Sequence, residues 1–258
     1  MRIATWNVNS IGARLELVLD WIHHTSPHVI LFQELKCITE KFPAEIFSDL
    51  GYNLAVHGQK TYNGVAILSK SPLEDIQYGL PGFEDPAARY VEAFTNGVRV
   101  ASVYVPNGQE VGSKSFAYKL DFFKHLEKHL KKLNTYKEKS VIGGDYNVAP
   151  EDADVYDAKK LKEVILTSTE ERKHFEALLQ TGFQDLVRQL HPIDISKNSD
   201  WYTWWDYRAG SWHKNHGMRI DHLLGSPLAQ SHVKKVGVDR DWRGKTRPSD
   251  HVPLWCEL

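Results

Sequence analysis

Gly143-Gly144-Asp145-Tyr146-Asn147-Val148, preceded by the apolar pair Val141-Ile142 and closed by Pro150, decides how this chain is read. It reads as a strand that ends in a turn. Two glycines allow a sharp bend where the sheet stops, and alternation then aims Asp145 and Asn147 the same way beyond the strand end. A carboxylate there can take a proton from water or hold a hard cation, and a carboxamide can donate to a phosphoryl oxygen without adding negative charge. The same residue types also build plain turns, so the stretch gains meaning only from partners elsewhere.

Other strand ends supply such partners. Arg2 to Val8 reads as a buried first strand ending in Asn7-Val8-Asn9-Ser10, with two carboxamides on one side. Ser10 is placed to cap a helix whose Leu15, Val18, Leu19 and Ile22 keep helical spacing until Pro27. His28 to Phe32 is a short apolar strand that ends on Gln33-Glu34. A short helix follows Pro43. Asn63-Gly64 and Asn96-Gly97 then mark two hairpins, the second returning through Val98 to Val105 and ending in Tyr104-Val105-Pro106-Asn107.

From Ser113, the stripe Phe116, Leu120, Phe123, Leu126, Leu130 and Leu133 predicts a helix of about five turns. Glu151 to Val164 lacks periodicity and reads as a surface loop. Thr169 begins another helix, with Glu170 and Glu171 in its first turn favourable to the helix dipole. The last third offers Tyr202 to Trp205, then Arg219 to Leu224 as a strand, and Arg247-Pro248-Ser249-Asp250-His251 leading into a closing strand, Val252 to Leu258. Asp221 inside an apolar strand needs a partner. His251 is the evident one, because a buried carboxylate that accepts from one ring nitrogen fixes the tautomer and raises the basicity of the ring.

The 258 residues are 41% apolar and 25% charged, with no repeat and no linker, which predicts one domain over 1–258. No apolar run approaches the length needed to span a membrane, and the first residues enter a strand pattern without a signal-peptide core. Cys37 and Cys256 are too few for a disulfide scaffold or structural zinc. A cytoplasmic protein with no membrane partner is expected. The net charge of −1 gives no global sign of a polyanionic partner, yet Trp201 to Asp250 holds nine Lys or Arg against five Asp or Glu, and five of the eight tryptophans. Basic and aromatic residues interleaved in this way suit phosphate contact and stacking on a sugar or base. No heptad seam appears, so a monomer is expected.

Asn7, Asn9, Glu34, Tyr104, Asn107, Asp145, Asn147, Asp221, Asp250 and His251 thus fall mostly at the ends of separate strands. Carboxylates and carboxamides without a cysteine cluster favour Mg²⁺ or Mn²⁺ over zinc, and such sites mostly act on phosphates.

Trp6-Asn7-Val8-Asn9, Gln33-Glu34, Tyr104 to Asn107, Gly144 to Pro150, Trp204 to Arg208, Asn215 to Asp221 and Pro248 to His251 follow one another in an order that resembles the exonuclease III type of apurinic/apyrimidinic endonuclease. The resemblance covers nearly the whole chain. It implies an α/β fold, a four-layer sandwich of two mixed sheets packed face to face with helices outside. It implies a DNA-repair phosphodiesterase that incises 5′ to abasic sites, degrades duplex DNA from 3′ ends and removes 3′-blocking groups, acting on abasic, nicked or 3′-blocked duplexes. Glu34 would be the principal metal ligand with Asn7, Asn9 or Asp250, while Asp145, Asn147 and His251 remain open to a second ion. Asp145 would orient and deprotonate the attacking water, Asn147 and Tyr104 would hold phosphate oxygens, and His251, oriented by Asp221, would act as acid, base or phosphate clamp. Asn107, Arg208, Trp212 and Met218 would line the DNA groove and sugar pocket.

Leu35 and Tyr146 depart from the Thr and Phe of many relatives without removing a ligand, and the wall around Trp212, His213, His216 and Met218 is where members differ. Two alternatives follow: a 3′-end specialist with little abasic-site incision, or a hydrolase of small or lipid phosphates on the same fold.

Overall fold

The computed structural model describes residues 1–194 and 198–258. Twelve strands among the described residues run in chain order as β1 (Arg2–Asn7), β2 (Val29–Gln33), β3 (Asn53–His57), β4 (Val65–Ser69), β5 (Glu74–Tyr78), β6 (Tyr90–Thr95), β7 (Val98–Tyr104), β8 (Ser140–Asp145), β9 (Gln184–Asp185), β10 (Asp221–Gly225), β11 (Lys235–Val238) and β12 (Leu254–Glu257). They form two six-stranded sheets, ordered β11-β12-β1-β2-β4-β3 and β5-β6-β7-β8-β10-β9. Each is mixed: β1–β2 and β7–β8 are parallel pairs, and the hairpins β3–β4 and β6–β7 are antiparallel. The helices are α1 (Ile11–Thr25), α2 (Ala44–Asp49), α3 (Lys114–Thr135), α4 (Thr169–Leu179), α5 (Leu186–Leu190) and α6 (Pro227–Gln230). No helix among the described residues is long and apolar enough to cross a membrane.

Strand alternation builds the layers. Ile3, Leu31, Ile67, Val100, Val141 and Leu223 face the seam between the sheets. Their neighbours Ala4, Trp6, Ile30 and Phe32 turn outward onto α1 and α2, where Val18, Trp21 and Phe47 meet them. On the other sheet Ala101, Val103 and Ile142 pack under Phe122, Phe123, Leu126 and Phe175 of α3 and α4. Burying both faces of each sheet is what its near-continuous apolar strands require. The result is the expected four-layer sandwich.

The two glycines do something other than end a strand. Both lie inside β8, paired with β7 and β10. A Cβ on Gly144 would lie 1.8 Å from the Val103 carbonyl oxygen, and one on Gly143 would lie 2.7 Å from Leu31 and Leu223. They are there for close approach, and the chain turns only after Asp145, at Asn147 with φ 50°. The edge strands β5, β9 and β11 were not anticipated; β5 is exposed along its whole length, and its apolar alternation is limited to Ile76 and Tyr78.

Glu151 to Val164 is also more than a surface loop. Its Asp154 is fully buried and accepts from Arg219 and Arg188, while Arg219 also pairs with Asp185. Burial would raise both carboxyls, but Arg219 outweighs it and holds both below the usual carboxylate range. Carboxyls depressed in the folded state stabilise fully above their unfolded value of about 4, and that contribution is lost as pH falls through their folded values. Arg219→Met strips two buried carboxylates of their main counter-charge and is expected to cost about 3–5 kcal/mol in urea unfolding at pH 7. The deficit should shrink as the unfolding pH is lowered below about 4.

Candidate active site

The seam changes character at one end. Asn7, Gln33, Tyr104, Asp145 and Asp221 keep the inward parity of the apolar residues below them. Tyr104, Asp145 and Asp221 are direct neighbours on β7, β8 and β10, and Asn7 neighbours Gln33 across β1 and β2. Gln33, Thr5 and Ser102 close the floor by hydrogen bonds to one another. Glu34 enters the same space from just beyond β2, its backbone held at φ 52° with the Leu35 amide bonded to the Gly64 carbonyl.

Asn7 bridges the sheets. Its Nδ2 donates to Glu34 Oε1 at 2.8 Å and to Asp145 Oδ2 at 3.0 Å. Asn147 donates its backbone N–H to Asp145 Oδ1 at 2.8 Å and its Nδ2 to the Val105 carbonyl at 3.0 Å, while Asn107 Nδ2 donates to Asn147 Oδ1 at 3.1 Å. His251 Nδ1 is 2.8 Å from Asp221 Oδ2, and its Nε2 stands 3.7 Å from Asp145 Oδ2.

Two buried carboxylates, a partly buried third and one imidazole therefore share this space. Burial pushes the Asp145 carboxyl up to about 7; His251 opposes the rise, and Asp221 and Glu34 add to it. Burial alone would lower the His251 ring, but Asp221 and then Asp145 outweigh it and hold the ring at about 10. The ring is thus an imidazolium, with Asp221 orienting it. Burial, Glu34 and Asp145 raise the Tyr104 phenol well above its ordinary value, so it remains a donor.

The donor set fits a hard divalent cation. One ligand atom each from Glu34, Asp145 and His251 lies within 4.8 Å of the others. A protonated ring has no lone pair, so the Glu34 and Asp145 carboxylates carry the fit, while Asp221, outside this group, faces the imidazole and leaves its Oδ1 without a hydrogen-bond partner. Asp250 stands one layer out, accepting from Asn9 Nδ2 at 2.9 Å and Trp204 Nε1 at 3.1 Å.

Ten of the anticipated residues converge here. Three do not. Arg208 is exposed and paired with Asp206 on the outer loop. Trp212 is half-buried, edge-on to Trp205 at 4.9 Å with Arg240 over its ring, so it braces the loop. Met218 is 3% exposed and packs with Ala149, Val155, Leu166 and Ile220, its backbone bridged to Trp204 and Val155. It fills the wall rather than lining an open groove, because the 151–164 segment folds over it.

Sequence reasoning gave Lys36 no role, although it stands two residues after Glu34. Its ammonium is 2.9 Å from Glu34 Oε2 and also donates to Asn9 Oδ1. Trp204, Arg14 and Tyr207 were likewise given no part. Arg14 and Tyr207 both bond the Pro248 carbonyl beside Asp250, a contact that spacing does not reveal.

A family model for the endonuclease/exonuclease/phosphatase family matches residues 4–251. The chain belongs to that family. It is of the exonuclease III type: exodeoxyribonuclease III of Haemophilus influenzae is 32% identical over 270 residues, covering all of both chains. Among solved structures it is similar to a Neisseria 3′ phosphatase bound to product DNA hairpin, with TM-score 0.95 and 41% identity over 100% of this chain and 99% of the other. It is also similar to an AP endonuclease from Archaeoglobus fulgidus, with TM-score 0.94 and 34% identity over the same shares.

Asp221→Asn removes the largest charge that holds the His251 proton. In metal-free protein the ring resonances of His251, followed by NMR, should titrate at a lower pH than the wild-type value near 10. Stability from a raised imidazole is present below its ordinary value of 6.5 and lost as pH rises through the folded one, so the variant should lose most of its stability deficit above pH 10.

Proposed function

We propose that this chain is a Mg²⁺-dependent DNA-repair phosphodiesterase that processes 3′ ends of duplex DNA and incises 5′ to abasic sites. The single observation that carries this reading is the buried Asp145–His251–Asp221 arrangement at the seam's end, with Asn7, Glu34 and Asn147 around it. Asp145, poised near 7, accepts a proton from the attacking water. Asn147 Nδ2 and the Tyr104 hydroxyl are donors for the phosphoryl oxygens, and the His251 imidazolium stabilises the charge that builds on them. Glu34 and Asp145, supported by Asn7, would hold the cation, which supplies neutralisation of the leaving oxygen. In-line displacement then leaves a 3′-hydroxyl. Exodeoxyribonuclease III of Haemophilus and the two similar structures support the DNA substrate, and the unpaired Cys37 and Cys256 support a reducing cytoplasm. We take the working unit to be a monomer.

One observation favours a narrower second reading. Met218 and Ile220 are packed under Val155, which leaves the wall beside Trp204 filled. A filled wall admits a frayed 3′ end more readily than a flipped-out sugar, favouring a 3′-end specialist.

Two end-labelled duplexes decide the matter, one with an internal abasic analogue and one with a nick bearing a 3′-phosphate, each with Mg²⁺ and with EDTA. Cleavage of the second with Mg²⁺ and none with EDTA is the expected result, and incision of the first measures how open the sugar wall is. Asp145→Asn should abolish turnover on both while retaining duplex binding. No metal-dependent cleavage of either overturns the reading.

A further inference from the structure

Lys119 lies in α3 with its side chain fully buried, and no reading of the helix stripe gives it a task. Its ammonium donates to the backbone carbonyls of Asn147 at 2.6 Å and Asn107 at 3.0 Å, and to the carboxylate of Glu171. Glu171 is equally buried. Its carboxylate also accepts from the Leu166 and Ser168 amides and from the Ser168 hydroxyl, closing the N-terminal cap of α4. The lysine stem is held as firmly: a Cβ on Gly108 would stand 3.0 Å from its Cδ. One ammonium thus staples the loop after β7 to the loop after β8 and ties both to two helices.

A buried ion pair contributes little net stability over apolar packing of the same volume, so stability alone does not account for it. What it fixes is the backbone of Asn147. That residue sits at φ 50°, a conformation that must be held by its surroundings. Its N–H and Nδ2 both bond the Asp145 carboxylate, at 2.8 Å and 3.3 Å. The 147 carbonyl and both donors hang from one Cα, so a shift of that Cα when the carbonyl loses its anchor would move both donors at once.

We propose that Lys119 is a positioning residue for the phosphoryl-transfer step, setting Asn147 and through it the carboxylate of Asp145. This rests on the functional reading above. Lys119→Met alone leaves Glu171 charged and unpaired and can fail to fold, so the comparison is Glu171→Gln against the double variant Lys119→Met/Glu171→Gln, which buries no unpaired charge.

Single-turnover removal of a 3′-phosphate from a nicked duplex, corrected for folded fraction by urea titration, should be about 10- to 100-fold slower in the double variant than in Glu171→Gln. Duplex affinity should differ by less than about threefold, because the groups that move act on the reacting phosphate. In metal-free protein the side-chain amide resonances of Asn147, assigned by their loss in Asn147→Ala, should shift in the double variant and stay near wild type in Glu171→Gln. Rates within about twofold, or a rate loss accounted for by the unfolded fraction, overturn the proposal. If the wild type cleaves neither DNA, the functional reading fails, and unshifted Asn147 resonances would separately refute the positioning role.

Discussion

The structure depends on a charge balance at one end of the sheet seam, where the buried Asp145 and Asp221 and the partly buried Glu34 meet one imidazolium, with the Lys36 ammonium on the outer side of Glu34. Burying carboxylates is unfavourable unless each is paired or hydrogen-bonded. His251 answers Asp221 directly at 2.8 Å and Asp145 more distantly at 3.7 Å, while Asn7 and the Asn147 N–H supply donors to what remains. The balance is incomplete: Asp145 is pushed up to about 7 and Asp221 Oδ1 has no partner. A carboxyl raised in the folded state costs stability when it ionises, a cost that a cation held by Asp145 would offset. The same incompleteness gives Asp145 a pKa suited to accepting a proton near neutrality.

The rest of the molecule holds that arrangement still. Apolar parity along β1, β2, β7, β8 and β10 fixes which side chains face the seam, and the last inward position of several strands becomes a site residue. A one-residue slip in any of these strands would turn its polar group onto the helices. Gly143 and Gly144 let β8 lie close enough to β7 and β10 for Asp145 to reach the imidazole. Lys36 on one side pairs with Glu34, and Lys119 on the other bonds the carbonyls of Asn107 and Asn147, so an ammonium stands beside each of these loops.

Much of this was legible in the sequence for physical reasons. Strand ends, the helix cap at Ser10, the helix that starts at Ser113 and both Asn-Gly hairpins are local signals, and the structure has them where the sequence puts them. The Asp221–His251 pair was readable because a lone acid in an apolar strand needs a counter-charge nearby. What was not legible depends on contacts between distant segments. Asp154 looks like loop acid until Arg219 is seen beside it, and Glu171 looks like a dipole-compensating surface residue until Lys119 arrives from another helix. Met218 was expected to line the groove, and only the fold of 151–164 shows that it is covered. The exposed edge strand β5 escaped notice because its alternation, Ile76 and Tyr78 alone, is too short to signal a strand.

Calorimetric titration of Mn²⁺ into the DNA-free protein, wild type beside Glu34→Gln, tests the charge balance most directly. Convergence of the Glu34 and Asp145 oxygens predicts saturable binding to the wild type and binding at least about tenfold weaker to the variant. Equal binding by the two proteins, or none by the wild type, would contradict it.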